Sequence, residues 1–160
     1  MRTIIRLTAA SLAVALGLAA CAPAAEPASR ATVPGNPRQG IGSVVRFTAG
    51  TYSVDVTIGA DSPAVRDFLS MLPMRLPFED LSGREKISYL PRKLDTEGSP
   101  GSDPEDGDLI YFVPWGNLGF YYNADGIGYS DATIHLGKYN ATAAQLEQLE
   151  NGPVTVALVD

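Results

Sequence analysis

The chain has 160 residues, with 12 basic and 18 acidic side chains and a formal net charge of −6. This balance argues against a nucleic-acid partner and against binding to anionic head groups, both of which select basic patches. A single cysteine, Cys21, excludes any disulfide within the chain, so the core alone must hold the fold.

Residues 1–20 have the form of an export signal: Arg2 and Arg6, an apolar stretch from Leu7 to Leu18, then Ala19-Ala20 before Cys21. The stretch is short for a mature membrane-spanning helix. Small residues directly before a lone cysteine form a lipobox, so the expectation is cleavage before Cys21 and lipid on its thiol. That places the folded part outside the cytoplasm, on the cell envelope, with the membrane as a partner through the N-terminal lipid. Residues 21–42 are rich in Pro, Ala and Gly without an apolar period, which reads as a linker. Residues 43–160 have the size of one domain. Without Arg2 and Arg6 the balance is 10 basic to 18 acidic, or −8.

Within the domain, Val44 to Phe47 is a predicted strand, turning at Ala49-Gly50 into a second. There Tyr52, Val54, Val56 and Ile58 alternate with polar residues. Ser62 is placed to cap a helix, Pro63 suits its first position, and Val65, Phe68, Leu69 and Leu72 make its apolar stripe before Pro73 ends it. Met74 to Leu81 reads as extended, with an edge or bulge at Pro77 because proline cannot donate to a ladder. Glu85 to Leu90 is a strand, and Pro91 to Gly107 is a long exposed loop. Leu109 to Val113 is a continuous apolar run and therefore a buried strand. Pro114-Trp115-Gly116-Asn117 has turn chemistry, and Leu118 to Tyr122 returns as a hairpin partner. Ala132 to Gly137 alternates as a strand. Thr142 and Gln145 fit a capping box opening a short helix, and Val154 to Val159 is the last strand. Strands at such short intervals favour a β-barrel over a βαβ fold.

Several runs now carry a resemblance: Leu72-Pro73, Glu85-Lys86-Ile87 through Pro91, Gly107 to Tyr111, Pro114-Trp115-Gly116-Asn117 with Phe120-Tyr121, and Leu136-Gly137. Over residues 43–160 the chain resembles the bacterial cyclophilin-like domain family. The resemblance implies a mainly β fold: a closed barrel of about eight strands with two short helices capping its ends. Cyclophilin isomerases use an arginine in a Phe-His-Arg motif. No such motif occurs here; the single histidine is His135, and Arg46 precedes Phe47. The residues therefore favour binding over catalysis, with no catalytic residue assigned.

Trp115 and Asn117, at a hairpin tip backed by Tyr121, are the leading ligand-lining candidates, with Pro73 and Glu85 beside them. Trp115 could alternatively fold back to plug a barrel end. Glu85 and Lys86 are neighbours on a strand, so their side chains point to opposite faces and one must face inward or lie at an end. Asp108 is expected to bond backbone N–H groups at its strand start. The acidic run from Asp103 to Asp108 lacks a late bidentate glutamate, so no metal is expected, and no cofactor motif is present. The expected ligand is a small molecule or an extended peptide. Alternatives are an atypical prolyl isomerase and a structural envelope domain that binds protein through a barrel edge.

Overall fold

The computed structural model describes residues 40–159. Cys21, the export signal and most of the linker lie outside the described residues. Nine strands form one antiparallel sheet: β1 (Val44–Ala49), β2 (Tyr52–Ile58), β3 (Met74–Leu76), β4 (Glu79–Leu81), β5 (Glu85–Tyr89), β6 (Asp108–Phe112), β7 (Asn117–Tyr121), β8 (Thr133–Tyr139) and β9 (Val154–Leu158). Their order across the sheet is β3-β9-β1-β2-β8-β6-β7-β5-β4. Among the described residues two helices are inserted, α1 (Pro63–Ser70) and α2 (Ala143–Leu146), the second running into a 3-10 turn at Glu147–Glu150.

The sheet curls into a half-barrel, and no ladder joins β3 to β4, which corrects the expectation of a closed barrel of eight strands. The physical reason lies in one segment. Met74 to Leu81 forms two three-residue strands, on opposite edges of the sheet, separated by Pro77-Phe78. Pro77 has no N–H to offer a ladder, so pairing stops there and the chain turns the corner. The extra strand in the count is the second half of this segment.

Local chemistry explains the other elements. Ser62 Oγ accepts from Val65 N–H at 3.2 Å and starts α1, with Pro63 at its first position. Ala64, Val65, Phe68 and Leu69 are its buried residues. Thr142 and Gln145 make the reciprocal capping box of α2. Phe47, Phe78 and Phe120 meet edge-to-face at centroid distances of 4.9–6.1 Å, and Tyr139 joins Phe120 at 5.0 Å. Such pairs add roughly 1 kcal/mol each beyond area burial. They draw β1, β7, β8 and the Pro77-Phe78 corner onto one core.

Glu85 and Lys86 are both buried, although they point to opposite faces of β5. Lys86 points inward, where its Nζ reaches Asp80 at 2.8 Å and Glu150 at 2.6 Å. Burial would lower the ammonium pKa, but the bonds to Asp80 and Glu150 outweigh it and leave it raised. The pair locks β4 to the 3-10 turn. No helix among the described residues is long and apolar enough to cross a membrane.

Candidate functional site

The register aligns outward-facing side chains of β5, β7, β6 and β8 in rows. Tyr89, Asn117, Phe112 and Thr133 make one row; Ile87, Gly119, Ile110 and His135 the next; Glu85 lies opposite Tyr121 in a third. Asp108, two residues before Ile110, shares this face. The opposite face carries Leu109, Tyr111, Leu118 and Phe120, which belong to the main core. Ile110 and Tyr121 form a small cluster of their own with Ala124 and Phe112 on the outer side.

Residues 122–132 cross this outer face and wall it. Ala124 packs on Ile110 and Tyr121. Its N–H donates to Asp106 Oδ1 at 2.7 Å, while the Arg84 guanidinium donates to the carbonyls of Asn123 at 3.3 Å and Asp125 at 2.8 Å. An isolated bridge between Ser102 and Ser130 ties the acidic loop to the same wall.

Glu85 lies at the base of the face, 8% exposed. Its Oε2 has no hydrogen-bond partner among the described residues. The carboxyl lies over Gly119: a Cβ there would fall 2.1 Å from Oε2. A glycine at the centre of β7 thus makes the room that the carboxyl fills. Burial pushes the Glu85 pKa from the ordinary 4.5 to about 7, against a hydrogen bond with Tyr121 that pulls it down. Burial and the neighbouring Glu85 push the Tyr121 phenol to about 12. The result is a carboxyl that changes charge near neutrality, joined to a tyrosine that stays protonated.

Two rows along the same face the surface is aromatic. Trp115 is 53% exposed and meets the Phe112 ring edge-on at 5.6 Å. It lies on the surface and does not plug a barrel end. Tyr89 is 52% exposed on the same row as Phe112. Asn117 is buried between them; its Nδ2 donates to Leu118 O at 3.0 Å and its Oδ1 has no partner among the described residues. Trp115, Asn117, Tyr121 and Glu85 thus share one face. Pro73 does not: it is exposed after a cis Leu72–Pro73 bond and leads into β3, on the far edge of the sheet.

Sequence reasoning placed Asp108 at its strand start but missed the polar group it forms on this face with His135 and Lys138. Asp108 Oδ1 receives Lys138 Nζ at 2.8 Å and lies 3.4 Å from His135 Nε2. The register shift between Leu109 and Ile110 turns β8 so that His135 and Lys138 both reach Asp108. Burial would raise the Asp108 carboxyl, but the bonds from His135, Lys138 and the Glu105 N–H hold it below its ordinary value. The Glu105 N–H bond to Oδ2, at 2.9 Å, is the strand-start contact expected of Asp108. The bulge carries no local sequence signal beyond Gly137, where a Cβ would meet Thr57 O at 2.4 Å. Among the described residues no cluster of His, Cys, Asp and Glu is placed to hold a metal ion.

The cyclophilin-like family model matches residues 47–159. No curated protein matches the chain. The solution structure of the hypothetical protein AF2241 from Archaeoglobus fulgidus is similar, with a TM-score of 0.57 and 16% identity over 78% of this chain and 100% of that one. At that identity the likeness concerns the fold.

Proposed function

Because the chain belongs to the cyclophilin-like family, we propose that its domain is a non-enzymatic binding module, held on the cell envelope by lipid at Cys21. Its outer face takes a small molecule or an extended peptide. One observation carries the reading: Trp115 and Tyr89 are exposed on either side of the buried Asn117, whose Oδ1 has no hydrogen-bond partner among the described residues. The aromatic rings offer a stacking surface, and the Asn117 Oδ1 offers a point to orient a donor.

Trp115 is the only tryptophan, so its fluorescence reports on this face alone. Titration with acetyl-Ala-Ala-Pro-Ala-amide should change that emission without accelerating cis–trans exchange of the Ala-Pro bond. Faster exchange would make the protein an isomerase. Trp115→Ala should weaken binding, followed by NMR, about tenfold, which is roughly 1.4 kcal/mol. Its stability should move by well under that amount, since half the ring is already in water. Matching losses of stability and binding would make Trp115 a packing residue.

The anchor has its own test. Cys21→Ser should shift the chain from the membrane fraction to the soluble fraction after cell lysis. A variant that stays with the membrane would refute lipid attachment at Cys21.

A further inference from the structure

The corner where β4 parts from β5 carries a second site, which we infer binds one residue of an extended peptide by pairing with the main chain of Tyr89. This inference shares Tyr89 with the outer-face reading, through its main chain instead of its ring, and Trp115 plays no part in it. Two bonds fix the phase of β5: Leu90 N–H donates to Gly116 O at 3.1 Å, and Tyr122 N–H donates to Arg84 O at 3.0 Å. The even-numbered residues of this strand therefore bond to β7, and the odd-numbered ones direct N–H and C=O towards β4. Glu85 and Ile87 find Leu81 and Glu79 there. Continuing the register would set Tyr89 opposite Pro77, but the ladder ends at Glu79. Among the described residues no backbone group closes on Tyr89 from that side.

The strands splay at this point around a cavity of about 210 Å³, lined by Pro77, Phe78, Glu79, Ile87, Ser88 and Tyr89. Ser88 is 2% exposed, and its Oγ has no hydrogen-bond partner among the described residues. A buried hydroxyl left unpaired is unfavourable, so a ligand that satisfies it binds more tightly. An N–H and a C=O offered by one residue on a strand edge match one residue of an antiparallel peptide. The walls of Pro77, Phe78 and Ile87 select an uncharged side chain of moderate size.

The probe is acetyl-Ala-Ala-Leu-Ala-Ala-amide, added to the 15N-labelled full chain, against the same peptide N-methylated at leucine. Only leucine fills the cavity, which sets it opposite Tyr89. The expected result is movement of the Ser88, Tyr89 and Glu79 amide signals, with about tenfold weaker binding of the methylated peptide. Ser88→Ala should lower affinity several-fold while leaving the thermal midpoint unchanged or higher, so loss of folding cannot imitate the effect. Equal binding of the two peptides would overturn the inference. So would unmoved Ser88 and Tyr89 amides at millimolar peptide. Shifts confined to the Trp115 indole would overturn it too while leaving the outer-face site intact.

Discussion

Glu85→Gln is expected to flatten the neutral-pH arm of the stability profile and to stabilise the domain above pH 7. The wild-type carboxyl titrates at about 7 in the fold, against an ordinary 4.5, because it is buried. Between those values the folded state binds the proton more tightly than the unfolded chain. The stability this contributes is complete below about 4.5 and is lost as pH rises through about 7. The displacement corresponds to roughly 3 kcal/mol at alkaline pH. Glutamine fills a similar volume without a charge to desolvate. Urea midpoints for both proteins at pH 5 and pH 8 decide the matter. Parallel loss of stability in the two would mean that Glu85 is not the group responsible. Asp67 and Asp80 act in the opposite direction. Hydrogen bonds from Arg92 to Asp67, and from Lys86 and Tyr122 to Asp80, hold both at about 2. Their contribution is present above 3.8 and disappears as pH falls through 2, in wild type and variant alike.

Gly119→Ala should destabilise the domain by about 2–3 kcal/mol and remove the same neutral-pH step. The new methyl would lie 2.1 Å from Glu85 Oε2 and 3.2 Å from Ile110 Cδ1, so the carboxyl must leave its place. Once displaced it loses Tyr121 and regains water, and its pKa falls back. Replacing Glu85 with alanine in the Gly119→Ala background should recover most of the loss, because the methyl then enters vacated space. A double-mutant cycle measures this coupling. Additive losses would show that the obstruction comes from elsewhere. Gly137 offers the contrast: a methyl there meets the Thr57 carbonyl at 2.4 Å, and no side-chain replacement can relieve a clash with backbone.

Much of this fold is legible from local chemistry. The alternation from Tyr52 to Ile58, the Ser62 cap and the Thr142–Gln145 box each form where the residues direct. Each depends on neighbours within a few positions. The Pro77 break was readable too, but its effect on closure depends on where β3 and β4 find partners at opposite ends of the sheet. The site was harder to read. β5 buries its first four residues on both faces, so no period separates Glu85, which faces the wall of residues 122–132, from Lys86, which faces Glu150. Trp115 and Asn117 are close in sequence, yet one is exposed and the other buried, because only the second enters β7. His135 and Lys138 reach one aspartate through a bulge that their spacing does not announce.

The corner at Pro77 also bears on self-association. A sheet with two edges ordinarily offers two templates for pairing with other chains. Here both edges are three-residue strands within one eight-residue stretch, Met74 to Leu81, interrupted by a proline and carrying Arg75, Glu79 and Asp80 on exposed positions. Neither is long enough to recruit a stranger strand firmly. The two are also linked: an excursion that frees this stretch would bare β9 and β5 together. Crowding at high protein density is therefore resisted at one place in the chain, and resistance would fail there first.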